Sequence, residues 1–151
     1  MLQGFLDFSR RTLLLKCSGL TGLQLAERTI PPSTLSLLGL VRHMTEVERT
    51  WFRARFGGEA VDGAYRSVDR PDAAFDDVDQ DRAEQDIDAL IREWAAADEA
   101  VARLPLEHVF VSDRWGPMSL RWLYGHMNSE YCRHNGHADL LRERIDGRAG
   151  V

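Results

Sequence analysis

Along most of this chain the apolar residues recur at three- and four-residue steps, the period of a helix with one buried face. Residues 2–16 carry Phe5, Leu6, Phe8, Leu13 and Leu14 with no breaker after Gly4, and predict a first helix ended by Gly19 and Gly22. Residues 20–32 predict a connection, because Pro31-Pro32 disfavours helix at Ile30, while Ser33 or Thr34 can cap the next helix. From there to Phe56, Leu37, Leu40, Met44, Val47 and Trp51 fall on one stripe, and Gly57-Gly58 stops the helix. Residues 59–80, rich in Asp and Gly, predict a long loop over one end of the core. Asp81 with Glu84 reads as a capping box; Ile87, Leu90, Ile91, Trp94, Ala97, Val101 and Leu104 then mark a third helix that Pro105 ends. Residues 108–117 predict a short linker with an extended piece. Residues 120–146 predict a long last helix closed by Gly147. The expectation is an all-α chain, a four-helix bundle with long connecting loops, in a single domain over residues 1–151.

The last helix holds the chemistry. At about 100° per residue, with His126 set at zero, Leu123 and Leu141 fall near ~60°, Met127 near ~100° and Tyr131 near ~140°, which defines the core face. On the same wheel His137 falls near ~20°, Glu130 near ~40° and His134 near ~80°. The helix therefore aims a carboxylate and imidazoles into its own apolar stripe. A carboxylate in a core needs a partner or a metal. Glu130 and His134, four apart, point at one spot, either as a buried hydrogen-bonded pair or as two ligands of one ion. His134 and His137, three apart, are also an allowed pair, but both members of the first lie nearer the apolar centre, and Gly136 leaves room beside it. In the second helix His43 lies on the shoulder of the stripe, where a side chain reaches the gap between helices. Glu48 falls inside it, which is unusual for Glu and makes it a candidate either for a group that supports a ligand or for a hydrogen-bonded core residue.

Composition narrows the class. Apolar residues make up 44% and charged residues 28%, as in a globular protein. The net charge of −5 gives no reason to expect nucleic acid or an anionic membrane as partner. No run of 18 apolar residues occurs and charges stand at Asp7, Arg10 and Arg11, so the expected location is the cytoplasm. Cys17 and Cys132 have no C-x-x-C spacing and support neither a disulfide framework nor a cysteine zinc site. Leu13, Leu14 and Trp94 offer apolar surface beyond what a core of this size needs, which predicts a homodimer.

Two blocks carry a resemblance: L-x-R-H-M-x-x-V-E-R-x-W-F at residues 40–52 and R-H-N-G-H-A-D-L-L-R-E at residues 133–143. With them the whole chain resembles the DinB/YfiT-like superfamily of metal-dependent enzymes, and is similar to the N-terminal domain of mycothiol-dependent maleylpyruvate isomerases. The resemblance implies a DinB-like four-helix bundle with three metal ligands, one from the second helix and two from the last. Here these positions are His43, Glu130 and His134. Many members have a third histidine where this chain has Glu130; the maleylpyruvate isomerases have glutamate. Two imidazoles and one carboxylate leave positions open, as a catalytic zinc site requires; nickel, iron or manganese suit the same ligands.

The activity implied is transfer or isomerisation that depends on mycothiol or bacillithiol, or hydrolysis of a small molecule. His126 and His137 flank the ligands and are candidates for acid–base work, for a hydrogen bond to a ligand, or for plain core packing. Arg42, Arg53 or Arg133 would hold a thiol cofactor's carboxylate and sugar hydroxyls, with Trp115 at the entrance. A non-catalytic helical dimer with a structural metal site is the alternative.

Overall fold

The computed structural model describes residues 1–148 and 150. In chain order it comprises α1 (Leu2–Cys17), the short α2 (Gly22–Ala26), α3 (Leu37–Glu48), the one-turn α4 (Ala73–Asp76), α5 (Ala83–Val101), strands β1 (Val109–Ser112) and β2 (Gly116–Ser119), and α6 (Leu120–Asp146). The chain is mostly helical. The long helices pack α1 on α6 and α3 on α5, with α3 also meeting α6.

The ends of α1 and α6 fall where the pattern placed them. Ser119 caps α6 by accepting the Trp122 N–H, and Gly147, at φ +78°, takes the left-handed turn that closes it. Elsewhere local chemistry moved the boundaries. Residues 20–32 are not only a connection. Thr21 accepts from the Gln24 N–H while the Gln24 side chain takes the Thr21 N–H, and this capping box starts α2. α3 begins at Leu37 rather than after Ser33 or Thr34, because the Ser36 hydroxyl accepts the Gly39 N–H at 3.0 Å. The expected capping box of Asp81 and Glu84 does not form. Asp79 accepts the Asp81 N–H at 3.0 Å, residues 80–82 make a 3₁₀ turn, and α5 starts at Ala83. Residues 108–117 hold most of an antiparallel hairpin with Val109 opposite Ser119 and Ser112 opposite Gly116, so the chain is not wholly α.

The second long helix changes character midway. After Glu48 it continues as a π-helical segment, Arg49–Phe56, in which the Gly57 N–H reaches back five residues to the Phe52 carbonyl at 2.7 Å. Within it the adjacent Trp51 and Phe52 are both buried, at 8% and 0% exposure.

Core residues include Leu6, Leu13, Leu40, Met44, Leu90 and Met127. Leu13 and Trp94, expected to form spare apolar surface, are used within the chain: Leu13 is fully buried and the Trp94 indole N–H donates to the Tyr131 hydroxyl at 2.8 Å. The large apolar side chains of α1 left exposed are Phe5, Phe8 and Leu15.

Under the site, one polar network touches all four long helices. The Arg10 guanidinium of α1 grips both carboxylate oxygens of Glu48 in α3, each at 2.8 Å, and reaches Asp98 of α5 at 2.9 Å. Tyr131 of α6 donates to Glu48 at 2.8 Å. Burial alone would lower the Arg10 pKa, but the bonds and charges of Glu48 and Asp98 outweigh it and hold the guanidinium charged. Of the two roles its place in the stripe left open, Glu48 takes that of a hydrogen-bonded core residue. Among the described residues no helix is long and apolar enough to cross a membrane.

Candidate metal centre

His43 of α3 and Glu130 and His134 of α6 converge, with one ligand atom from each lying within 4.8 Å of the others. The helix geometry expected of α6 holds: Glu130 Oε2 stands 3.5 Å from His134 Nε2, one turn on. The His43 ring lies edge-on to His134 with centroids 4.7 Å apart and stacks on the Phe75 ring at 5.2 Å. That ring comes from α4.

Electrostatics favour ligation over protonation. Burial, then the proximity of His134, pushes the His43 pKa down to about 4. Burial, then His137 and Arg133, pushes His134 down to about 4 as well. Both rings are neutral at ordinary pH, the form that offers a lone pair. Glu130 Oε1 accepts from Arg133 at 2.7 Å, which leaves Oε2 facing His134. Two neutral nitrogens and one carboxylate oxygen fit zinc or another divalent ion.

His137 stands behind this group. Its Nδ1 lies 3.3 Å from the Nδ1 of His134, so one ring donates to the other while His134 keeps Nε2 toward Glu130. His126 lies to one side, stacked parallel on Trp122 at 4.9 Å and against Trp51 at 4.6 Å, and burial lowers its pKa.

The three arginines named from the sequence go to different places. Arg42 is buried and donates to the Ala73 and Ala74 carbonyls and to Asp86, anchoring α4 and α5 to α3. Arg53 binds Glu59 and Glu93. Arg133 alone reaches the ligand group, through Glu130. A cleft of about 360 Å³ opens beside His43 and Glu130, and its arginines are Arg55 and Arg66. Sequence reasoning missed both. Arg55 lies in the π-helical segment, where a wheel of α-helical pitch loses phase, and Arg66 lies in a loop that carries no periodic signal. Trp115 lines the cleft from the hairpin turn, and Pro71 and Asp72 line it from the loop before α4.

The arrangement defines a helical protein with a two-imidazole, one-carboxylate ligand group at the edge of a cleft. The family model for mycothiol-S-transferases matches residues 1–147, and the chain belongs to that family, a member of the DinB-like superfamily. No curated protein and no solved structure matched it.

Proposed function

We propose that this chain is a metal-dependent mycothiol S-transferase, which joins the thiol sulfur of mycothiol to a small electrophile. The observation that carries the reading is the convergence of His43, Glu130 and His134 beside a cleft large enough for a small molecule, in a chain of this family. These three side chains would hold one divalent ion, with zinc the first expectation. When bound, such an ion lowers the pKa of a coordinated thiol and keeps it as thiolate at neutral pH.

The chain's own residues do the rest. His137 fixes the ring of His134 by its hydrogen bond, and Arg133 fixes the Glu130 carboxylate. Arg55 at the cleft, held over the Trp51 ring, is suited to a cofactor carboxylate and sugar hydroxyls in place of Arg42 and Arg53, whose donors are engaged elsewhere; Arg66 lines the same cleft but already binds Glu46 and Thr50. The four long helices read as the DinB-like four-helix bundle, acting as one domain in the cytoplasm. A homodimer would use the exposed Phe5, Phe8 and Leu15 of α1.

Elemental analysis of protein purified without a histidine tag, followed by conjugation of mycothiol to iodoacetamide, tests this. The expected result is about one divalent ion per chain and conjugation that chelation abolishes and zinc restores. Full conjugation by metal-free protein would overturn the metal dependence. Conjugation with bacillithiol but not mycothiol would overturn the choice of thiol.

A further inference from the structure

Beyond the cleft that faces the ligands lies a second compartment of about 340 Å³, lined by Trp51, Trp115, Pro117, Met118, Trp122 and His126. Trp51, Trp115 and His126 line both compartments and form the boundary between them. Their chemistry differs. The first carries Arg55, Arg66, Glu46, Asp72 and the ligands His43 and Glu130, and suits a polar, hydroxyl-rich molecule. The second is walled by indole rings, a thioether and a proline, with His126 as its titratable group.

The rings are arranged as faces. Trp51 and Trp115 lie 24° from parallel with centroids 6.3 Å apart, and Trp122 and His126 lie 7° from parallel. Arg55 sits 4.0 Å from the Trp51 centroid and 5.6 Å from that of Trp115, which holds the two indoles at the boundary. Trp115 and Trp122 remain 54% and 44% exposed, a large aromatic area left open to solvent. An indole face carries negative charge density and prefers flat partners poor in electrons. A cavity of roughly 150 Å³ is already large enough for benzene, so a substituted ring fits against the walls of this open space.

Resting on the transferase reading, we propose that the compartment binds the second substrate, and that this substrate is a flat, uncharged, electron-poor aromatic electrophile. Its reactive carbon would lie at the Trp51 boundary, facing the thiol held in the first compartment. For a halogenated nitroarene the mycothiol sulfur forms the C–S bond at the carbon that carries the halide. The carbon–halogen bond breaks with its electron pair on halide, and the thiol proton passes to water, so no oxidant or reductant is consumed.

Two measurements on the full chain test this. Equilibrium dialysis with 1,3-dinitrobenzene, which cannot react, reads binding directly and needs no activity. Trp122→Ala and Trp115→Ala are each expected to weaken it about ten-fold, the scale of one lost aromatic stack, with Trp122→Phe restoring most of it. In turnover, the ratio of kcat/KM for 1-chloro-2,4-dinitrobenzene to that for iodoacetamide should fall about ten-fold in Trp122→Ala. Dinitrobenzene binding unchanged in both alanine variants, or a ratio that stays constant, would overturn the proposal. Binding that depends on Trp122 in a protein that conjugates neither electrophile would support the aromatic site and overturn the transferase reading instead.

Discussion

Neutralising Glu48 gives the sharpest test of how the helices are held. The Glu48 side chain is 0% exposed and that of Arg10 2%, so neither charge can fall back on water. In Glu48→Gln one amide oxygen can still accept from Arg10 or Tyr131, but the amide N–H₂ meets a guanidinium N–H where a carboxylate oxygen stood. The change loses a charge-assisted hydrogen bond of about 1.5–3 kcal/mol and leaves the cation under-compensated. Breaking a buried pair by removing one partner costs about 3–5 kcal/mol, and Asp98, still 2.9 Å from Arg10, places this case near ~3 kcal/mol. Arg10→Met strands the carboxyl instead, and burial, already pushing the Glu48 pKa up, makes it take a proton. The double variant removes both charges, so it should cost less than the sum of the singles by about 2 kcal/mol. Urea unfolding of the four proteins, followed by far-ultraviolet circular dichroism, reads each term. Additivity within about 0.5 kcal/mol would refute the view that these two charges stabilise the fold as a pair.

Three other outcomes are expected. Metal titration should show affinity collapsing in Glu130→Gln, while His137→Asn loses no more than the roughly 10–100-fold typical of a group that orients a ligand; the reverse order would reassign the centre to His134 and His137. Burial pushes the Cys17 thiol up to about 12 whereas Cys132 is exposed, so a disulfide reagent at pH 8 should modify Cys132 rapidly and spare Cys17 until the protein unfolds; equal rates would contradict the packing of α1. Light scattering at micromolar concentration should give a dimer that Phe8→Ser dissociates, and a monomeric wild-type protein would remove the role assigned to the α1 surface.

Much of this was legible where the signal is local. Glu130 and His134 share a helix with unambiguous ends, so their convergence follows from pitch alone, and a glutamate amid apolar neighbours announced that Glu48 had a partner. Which partner was not legible. Arg10 lies in another helix and looks like any basic residue of an amphipathic segment. Arg42 was misplaced for the same reason: one residue from His43 in sequence, it points about 100° away, toward carbonyls of α4 that no periodicity reveals. Caps were the other source of error, since Thr21 with Gln24 and Asp81 with Glu84 both satisfy the pattern, and only packing decides which box closes.

The change of pitch after Glu48 has a consequence for how such a protein can diversify. His43 lies before it, on regular α-helix, while Trp51 and Arg55 lie within it. Gaining or losing a single residue between Glu48 and Trp51 would swing both of the latter by roughly 100° and leave the imidazole where it is. The helix thus keeps the part that carries His43 separate from the part that lines the cleft. Shifts of register in this segment and replacements in the hairpin would reshape the cleft without moving His43, Glu130 and His134.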